Sequence, residues 1–385
     1  MVARKGPLVA LTFGVAGCAI GAAAWNDRAA LLPLATLFPL CFGLASTRLS
    51  AITLSMGYFL AASRGLPVGA ATFFGSDIAV GLLLWLAASS VFVLIHGALW
   101  SARPARRAFG FAGATILMAI PPLGILGWVS PVTAAGVLLP GFGWAGLLAT
   151  LGLLMALAYG KARHTLLGLT CVLWTGGALM GEEPNRLDGW EGLESNVHYS
   201  AGSRDFQRSF TFVTEAKWLA AQSNAPIVVF PEGAMGWRTH TAEWAWKDLA
   251  KHSGKTIFAG VEDANGKGYD NALARVTSTD VEIVYRQRMP VPVSMWRPWS
   301  ERSAKAHFDQ APMVMLEGRP TAVLICYEQL LVWPVLQSRY AGADHVLGIA
   351  SLWWADGTSI PGIQMTAMTA WARLFNMSLT VSFNR

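Results

Sequence analysis

Charged residues are scarce in this sequence, and its first half is almost free of acids. Only 14% of the 385 residues are charged, whereas 54% are hydrophobic; an average soluble domain has about 25% charged residues. Residues 1–180 contain ten Lys or Arg and two acids, Asp27 and Asp77, whereas the remainder contains nineteen basic residues and twenty-one acids. The net charge of +6 therefore comes from the first half. This composition favours a membrane protein.

The basic residues lack the pattern that nucleic-acid binding requires. Proteins that bind single strands combine a basic stripe with interleaved aromatic side chains. No such stripe occurs in this sequence. We therefore expect no direct binding of nucleic acid, and we attribute the basic balance to membrane topology.

Cysteine is also scarce. Of the four cysteines, Cys18, Cys41 and Cys171 lie in apolar segments, which leaves Cys326 alone in the second half. A lone thiol cannot form a disulfide within its own domain. No CxxC or Cys/His spacing of the kind that binds zinc is present. The sequence therefore predicts no metal site, and we expect no cofactor.

Long apolar runs dominate the first half. A helix needs about 20 mostly apolar residues to cross the hydrocarbon core of a bilayer. Seven runs approach or reach this length, at 7–25, 29–46, 49–63, 77–100, 109–129, 134–159 and 164–181. The third run is the shortest. We therefore expect about seven transmembrane helices and a transmembrane helical domain over residues 1–181.

The distribution of basic residues predicts the orientation of these helices, because cytoplasmic loops carry an excess of Lys and Arg. With a cytoplasmic N-terminus, eight basic residues lie inside: Arg4, Lys5, Arg48, Arg103, Arg106, Arg107, Lys161 and Arg163. The outside loops hold only Arg28 and Arg64. This bias places residues 182–385 outside the cytoplasm. A first helix that is instead a cleaved signal peptide leaves the later topology unchanged.

The second half alternates short β-rich runs with amphipathic helical patterns. Strands are predicted near 194–199, 226–231, 256–261, 271–277, 281–287, 312–316, 321–326, 344–350 and 378–383. Helices are predicted near 204–223, 241–252, 327–338 and 361–376. Residues 182–385 are enough for one domain with a single core. We expect a layered sandwich with helices on the outer faces of two sheets.

Two predicted strands end in chemically reactive groups. The run "PIVVFPEG" leads into Glu232, and "TAVLICYEQLL" leads into Cys326. Sites in α/β sheets form just beyond the carboxyl ends of strands, so these two groups are expected to face each other across a cleft. The alternatives are that Glu232 caps a turn and that Cys326 fills the core, since free cysteine packs as a small hydrophobic residue.

Four motifs in the second half resemble the nitrilase superfamily of carbon–nitrogen hydrolases and acyltransferases. "PEG" at 231–233 matches the segment of the catalytic glutamate, and "GYDNALARV" at 268–276 resembles the "YNTA" strand. "ICYE" at 325–328 matches the nucleophile segment, and "VSFNR" at 381–385 matches a late strand. The resemblance implies an α-β-β-α sandwich of the nitrilase type that follows a multi-pass membrane domain. The whole chain is similar to apolipoprotein N-acyltransferases, and "YRQRMPVPVSMW" suggests the branch of TraB-like conjugal-transfer proteins.

The resemblance also implies roles for the motif residues. Cys326 would be the nucleophile and Glu232 the general base. Glu328 matches a second glutamate of the motif, and Tyr327 matches the aromatic residue beside the nucleophile; both would support the site. If a helix begins at Tyr327, its dipole is expected to lower the pKa of the thiol and to favour the thiolate.

One position departs from the family pattern. Family members have a lysine shortly before a Val-Pro pair, and Gln287 occupies that position here. A neutral amide can donate to an oxyanion, and Arg286 or Arg288 is a candidate replacement, although arginine is a planar fork and lysine a point charge. The acyltransferases also have a further glutamate where this chain has Ser294-Met295-Trp296.

Three functions are consistent with these residues. In the first, Cys326 takes an acyl chain from a membrane phospholipid and passes it to an amine, with lipoproteins or conjugation proteins as partners. Tryptophans such as Trp296 and Trp354 suit an entrance at headgroup level, although tryptophan also packs cores. The second function is an amidase that uses water as the acceptor. The third is a non-catalytic component of a conjugation apparatus. In each case the resemblance implies a bacterial inner-membrane protein with a periplasmic domain.

Overall fold

A computed structural model describes residues 5–180, 183–197 and 206–385 of the chain. The chain forms two compact units. The first consists of Met1–Pro184, Leu330–Trp333 and Gly357–Asn376, and the second of Asn185–Gln329, Pro334–Asp356 and Met377–Arg385. The main segment of the first unit ends close to the boundary predicted at residue 181. Two later segments also belong to this unit, which the sequence did not indicate.

The first unit is helical. Its helices are α1 (Lys5–Ala24), α2 (Leu37–Leu44), α3 (Arg48–Ala62), α4 (Leu66–Phe74), α5 (Ile78–Leu99), α6 (Pro104–Leu117), α7 (Ala135–Leu138), α8 (Gly143–Tyr159), α9 (Arg163–Met180) and α13 (Ile360–Phe375). Short 3-10 turns cover Ala29–Thr36, Leu123–Leu126 and Pro131–Ala134.

Three predicted spans are interrupted, and α4 was not predicted. The run 29–46 begins as a 3-10 turn that contains Pro33, and the run 109–129 leaves the α-helix after Leu117, just before Pro121-Pro122. The run 134–159 breaks between α7 and α8, around Pro140. Proline lacks the N–H that an α-helix interior needs, so hydropathy alone overestimated the length of these helices.

Glycine allows α1 and α3 to pack closely. A Cβ atom on Gly57 would lie 2.2 Å from the Gly14 carbonyl oxygen, and one on Gly21 would lie 2.2 Å from the Tyr58 carbonyl oxygen. Because such contacts are impossible for a larger residue, glycine is required here, as in close helix pairs of membrane proteins. The indole Nε1 of Trp25 also donates to the Tyr58 hydroxyl at 2.8 Å.

Two helices of the described chain are long and apolar enough to span a membrane, Pro7–Ala24 and Ile78–Leu99. Two shorter apolar helical segments are Ala29–Leu44 and Gly143–Tyr159. By length and composition these helices indicate membrane association. The expected number of about seven spans stays a prediction.

The second unit contains two sheets of four and five strands. The five-stranded sheet has the order β1 (Trp190–Gly192), β2 (Ile227–Val229), β3 (Thr256–Asn265), β4 (Gly268–Val276) and β5 (Val281–Arg286). The four-stranded sheet has the order β6 (Val314–Leu316), β7 (Arg319–Ile325), β8 (His345–Ser351) and β9 (Ser378–Asn384). Strands β1–β3 are parallel, as are β7–β9, whereas β4, β5 and β6 pair antiparallel.

Helices α10 (Phe206–Gln222) and α11 (His240–Ser253) pack on one face of the five-stranded sheet. The core contains Phe212 and Trp246 from these helices and alternate residues of the strands, such as Ile257 and Ala259 of β3. Alternation places the intervening residues, including Gly260, on the opposite face of the sheet. That face carries the candidate site described below.

Three predicted elements of this unit differ from the structure. The strand expected at 194–199 is absent from the described part of that range: the strand is Trp190–Gly192, Ser195 forms a single bridge, and residues 198 and 199 lie outside the described residues. The helix expected at 204–223 is described from Phe206 onward. The helix expected at 327–338 begins as a 3-10 turn over Cys326–Leu330, and α12 covers only Val332–Tyr340.

Helix α13 lies between β8 and β9 in sequence but belongs to the first unit. Its Thr366 hydroxyl donates to the Asn26 carbonyl at 2.8 Å, and its Arg373 Nη2 donates to the Gly177 carbonyl at 3.0 Å. A Cβ on Gly136 of α7 would lie 1.8 Å from the Ala370 carbonyl oxygen. The packing of α13 therefore depends on helices that come much earlier in the chain.

We expect a fragment of residues 185–385 to aggregate when it is produced alone. Without the first helices, apolar residues of α13 such as Ile363, Trp371 and Leu374, all buried in the full chain, would form an exposed apolar surface. Size-exclusion chromatography measures the outcome, with the full chain in detergent as the reference. A fragment with Ile363 and Leu374 changed to Gln should aggregate less. A monodisperse, cooperatively melting wild-type fragment would contradict the prediction.

Candidate active site

Glu232 lies just beyond the carboxyl end of β2. The chain continues from Val229 through Phe230 and Pro231, and the Glu232 side chain is buried with 7% exposure. Gly260 of β3 permits this position, because a Cβ there would lie 2.4 Å from the Glu232 Cα. The backbone of Glu232 can therefore approach the sheet only where the neighbouring strand has glycine.

Cys326 lies at the carboxyl end of β7, where the strand passes into the 3-10 turn Cys326–Leu330. Its φ of 51° is in the left-handed region, which costs a residue with a Cβ about 1–2 kcal/mol. The side chain is buried, with 4% exposure. Backbone strain of this kind is concentrated at functional sites.

The structure brings Cys326 and Glu232 together. The Cys326 thiol donates a hydrogen bond to the Glu232 carboxylate, and the sulfur accepts a hydrogen bond from the Tyr327 backbone N–H. The sulfur thus has a proton acceptor on one side and a backbone donor on the other. This is the arrangement of a nucleophile paired with a base.

Two further groups hold the Glu232 carboxylate. Asn271 Nδ2 donates to Oε1 at 2.6 Å, and the Ser351 backbone N–H donates to Oε2 at 2.9 Å. Asn271 is 2% exposed and lies on β4. Asn271 was not predicted as a site residue, although it is part of the "GYDNALARV" motif; a polar residue inside an apolar strand was the signal that could have identified it.

Gln287 lies in the same network, at the position where the family pattern has lysine. Its Oε1 accepts from Asn271 Nδ2 at 2.9 Å, and its Nε2 donates to the Ile325 carbonyl at 2.8 Å. The residue is fully buried. A carboxamide has two N–H groups, so Gln287 has one more N–H beyond the bond to Ile325. It brings no charge to the site.

Burial shapes the proton affinities of both reactive groups. It raises the pKa of Glu232, and the hydrogen bonds from Ser351, Asn271 and Cys326 offset the rise only in part. The pKa of Cys326 is raised well above the usual range, by burial first and then by the neighbouring Glu232 charge. The expected lowering by a helix dipole was therefore wrong. The turn after Cys326 is a 3-10 turn, and the α-helix starts only at Val332.

Glu328, two residues after the nucleophile, is fully buried. Its carboxylate accepts from the Tyr285 hydroxyl at 3.1 Å, and from the backbone N–H groups of Ile325, Arg288 and Met289 at 2.8–3.1 Å. Both oxygens are acceptors in this arrangement, as an ionised carboxylate requires. Glu328 therefore ties the end of β7 to the segment after β5, and it positions the nucleophile segment.

The two arginines near Gln287 are both engaged outside the site. The Arg288 side chain is 1% exposed, and it donates to the Tyr285 hydroxyl, the Pro334 carbonyl and Ser338. The Arg286 Nε donates to Asp270 at 2.8 Å. In these contacts both guanidinium groups are held by residues other than Cys326 and Glu232. A role for Arg286 or Arg288 in place of the lysine, and substrate binding by Arg288, stay predictions.

The predicted aromatic residues occupy different positions. Tyr327 is 6% exposed, and burial raises the pKa of its hydroxyl. Trp354 is half-buried and donates from Nε1 to the Ser351 carbonyl at 3.0 Å, so it is linked to the residue whose N–H holds Glu232. Trp296 is half-buried in the loop after β5 and packs edge-on against Phe308, with ring centroids 5.4 Å apart.

A family model described as carbon–nitrogen hydrolase matches residues 257–373. The matched segment includes Asn271, Gln287 and Cys326, whereas Glu232 precedes it. The fold of the second unit is therefore the nitrilase fold.

The chain is 42% identical to the conjugal transfer protein TraB of Agrobacterium fabrum, over 95% of this chain and 90% of that protein. This chain belongs to the TraB family of conjugal transfer proteins. It is also 40% identical to a probable TraB of Sinorhizobium fredii, over 96% of this chain and 97% of the relative.

Among solved structures, the chain is similar to an amidase of the nitrilase superfamily from Nesterenkonia. The sequence identity is 16% and the TM-score is 0.40, over 51% of this chain and 75% of the amidase.

We expect Gln287→Lys to increase the reactivity of Cys326. A lysine ammonium beside Glu232 and the Ile325 carbonyl would stabilise a thiolate and an oxyanion. The rate of Cys326 alkylation by iodoacetamide, followed by peptide mass spectrometry, should rise at least about tenfold, because a neighbouring cation lowers a thiol pKa by a unit or more. Gln222→Lys, at an exposed position, is the matched control. An unchanged rate in a folded Gln287→Lys variant would mean that the 287 side chain does not reach the reacting atoms.

Proposed function

We propose that this TraB family member is a multi-pass protein of the bacterial inner membrane that serves conjugal transfer and forms an acyl-thioester on Cys326. In this proposal the N-terminus is cytoplasmic and the nitrilase-fold domain is periplasmic. The membership of the TraB family supports the role in transfer, and the excess of basic residues in alternate loops supports the orientation. The thiol–carboxylate pair carries the chemical part of the proposal.

The proposed first step forms the thioester. As the Cys326 sulfur bonds to the acyl carbonyl carbon, its proton passes to Glu232. The tetrahedral intermediate then breaks the bond between carbon and the leaving oxygen, and Glu232 returns the proton to that oxygen. In the second step an amine attacks the thioester carbon, sulfur leaves, and the amine proton passes to the sulfur through Glu232.

Two neutral groups are the proposed donors to the oxyanion of the intermediate. One is the Tyr327 backbone N–H, which bonds the Cys326 sulfur; the other is the Gln287 N–H that remains beyond the bond from Nε2 to the Ile325 carbonyl. Loss of one oxyanion donor typically costs about 3–4 kcal/mol of transition-state stabilisation. We expect a loss of the same order where an amide replaces the lysine. Because both formation and discharge of the thioester pass through an oxyanion, we expect both steps to be slow.

A membrane phospholipid is the proposed acyl donor, and an amine such as a lipoprotein N-terminus is the proposed acceptor. The loop after β5 exposes large apolar side chains, with Val293 48%, Trp299 72% and Phe308 45% exposed. Tryptophan is enriched at the headgroup level of membranes. A loop of this composition that follows directly on Gln287 suits a donor that arrives from a lipid surface.

The neutral Gln287 favours a second candidate function. A site without a cation is also what a nitrilase fold would keep after turnover was lost, and the domain would then act as a structural component of the transfer apparatus. Retention of the whole Cys326, Glu232 and Asn271 network favours chemistry. An amidase, with water as the acceptor, would use the same residues.

The three functions are separated by intact-mass measurement of the purified full-length protein in phospholipid micelles. We expect one acyl-chain mass on the wild type, none on Cys326→Ala, and an unchanged adduct on Cys171→Ala, whose thiol is exposed in the first unit. A lipopeptide that discharges the adduct as an N-acyl product supports acyl transfer. Discharge only by water indicates a hydrolase. Absence of an adduct at every pH, together with normal mating by Cys326→Ala, leaves the structural function.

A further inference from the structure

Three loops of the first unit meet at one end of its helices. Arg48, at the start of α3, donates from Nη2 to the Trp100 carbonyl at 3.5 Å. Arg107 donates from Nε to the Ala158 carbonyl at 3.1 Å and from Nη2 to the Tyr159 carbonyl at 3.3 Å. Segments 45–48, 100–107 and 158–163 are therefore neighbours. Arg107 itself is buried and serves this packing.

The surface of these loops is basic and exposed. We call it the basic cradle, and its exposed cations are Arg48, Arg103, Arg106, Lys161 and Arg163. Among the described residues, the ion pairs lie in the second unit, and none involves the cradle. Five cations within three adjoining loops repel one another unless an anion binds between them.

The acids of the first half cannot neutralise the cradle. Asp77 caps the start of α5, and the cradle lies beyond Leu99 at its end; a helix of 22 residues is about 33 Å long. Asp27 follows the end of α1. Because Gly14 lies against Thr53 and Gly21 against Tyr58, α1 and α3 run parallel, so Asp27 is at the far end from Arg48. The two acids of the first half are thus both remote from the cradle, and a bound anion would supply the negative charge that they do not.

Apolar side chains flank the cradle. Leu44 is 43% exposed, Leu49 53% and Phe109 68%, and each lies within a few residues of a cradle arginine. The cradle also lies at the end of the candidate span Ile78–Leu99, where a spanning helix would leave the hydrocarbon core. An anion that is recognised here has apolar chains beside it. This combination fits a lipid, because its acyl chains can contact the exposed leucines. A nucleic acid has no acyl chains that could make this contact.

We infer that the basic cradle binds the phosphate headgroup of an anionic phospholipid in the cytoplasmic leaflet. Arginine forks bind phosphate oxygens in pairs, and clusters of basic residues next to spanning helices attract anionic lipids. The inference rests on the membrane topology of the proposed function, but it involves no residue of the candidate active site. The bound lipid links the three loops at the surface, whereas the buried Arg107 links two of them through hydrogen bonds to backbone carbonyls.

The test is native mass spectrometry of the full-length protein in detergent, titrated with phosphatidylglycerol or with phosphatidylcholine of the same acyl chains. We expect the wild type to bind phosphatidylglycerol at least about tenfold more tightly, since each basic residue contributes substantially to such binding. The double variants R103Q/R106Q and K161Q/R163Q should each lose most of that preference. The triple variant R28Q/K251Q/R302Q, at exposed positions elsewhere, should keep it. Size-exclusion profiles and melting temperatures show which variants fold, and either double variant alone decides the question.

Several results would overturn the inference. Equal affinities for the two lipids, or phosphatidylglycerol affinity unchanged in the folded double variants, would exclude the cradle as the site. Displacement of the lipid by micromolar duplex DNA would indicate a nucleic-acid surface, and displacement by micromolar glycerol 3-phosphate a site for soluble phosphate esters. Reporter fusions at residues 102 and 162 test the topology separately. The Cys326 adduct is measured without reference to the cradle, so its absence leaves the lipid result standing.

Discussion

Replacing Glu232 by Gln is expected to lower the rate of Cys326 acylation by about 10² to 10⁴. General-base catalysis contributes that much, and the Cys326 thiol donates its hydrogen bond to this carboxylate. The thiol cannot ionise unaided near neutral pH, because burial and the Glu232 charge raise its pKa well above the usual range. Intact-mass kinetics with a phospholipid donor measure the rate.

The pH dependence provides a second readout for Glu232. A base acts only when it is ionised, and burial raises the Glu232 pKa above the usual value of about 4.3. The acylation rate of the wild type should therefore rise with pH through that elevated pKa. In Glu232→Gln this rise of the rate with pH, the Glu232 limb of the pH profile, should disappear. The residual rate then depends on direct ionisation of the thiol, and it should rise only in the alkaline range.

The fold of Glu232→Gln must be checked, because the amide places an NH2 group where Asn271 or Ser351 donates a hydrogen bond to the carboxylate. One unsatisfied buried donor costs about 1–3 kcal/mol, which the melting temperature detects. Glu282→Gln, at an exposed position on β5, is the matched control. A well-folded Glu232→Gln that acylates at the wild-type rate and keeps the pH limb would remove Glu232 from the mechanism.

Replacing Glu328 by Ala is expected to destabilise the protein by about 3–5 kcal/mol, the usual cost of breaking a buried ion pair. Arg288 and the Tyr285 hydroxyl would lose their buried anionic neighbour, and three backbone N–H groups would lose their acceptor. At roughly 2–4 °C per kcal/mol, the melting temperature in detergent should fall by about 6–20 °C. The Cys326 adduct should be lost as well, since Glu328 holds the Ile325 N–H beside the nucleophile.

The Lys267–Glu301 pair is the control for this prediction, because both side chains are 72% exposed. Exposed pairs contribute about 0–1 kcal/mol, so Glu301→Ala should barely change the melting temperature. The double variant Glu328→Ala/Arg288→Met should recover part of the loss, since it also removes the unpaired cation. Equal melting temperatures for Glu328→Ala and Glu301→Ala would show that the buried network does not stabilise the fold.

Local pattern was sufficient to predict the elements around the site. Strands β3, β4, β7, β8 and β9 could be predicted because the local order of apolar and polar residues indicates which face of each strand is buried. The same holds for Glu232 and Cys326, which follow directly on such runs. The interrupted helices were misjudged because a sliding measure of hydropathy does not register the missing N–H of Pro33 or Pro121-Pro122.

Other properties depend on residues that are distant in sequence. Asn271 of β4 was identified as a site residue only from the tertiary structure, in which its Nδ2 donates to the Glu232 carboxylate beyond β2. The contacts of the Arg288 guanidinium with Pro334 and Ser338 of α12 were likewise not predicted from the sequence. The pKa of the Cys326 thiol is raised by burial and by the Glu232 charge. Neither cause can be predicted from the residues next to Cys326 in the sequence.

The sequence by itself determined the uneven charge, the apolar first half, the nitrilase motifs and the loss of the lysine at position 287, because each is a property of residue type and local order. Only the tertiary structure decided that the thiol meets the Glu232 carboxylate, that Glu328 positions the nucleophile segment, and that α13 belongs with the first helices. Those facts depend on contacts between segments far apart in the chain, and such contacts are fixed by packing of the whole molecule.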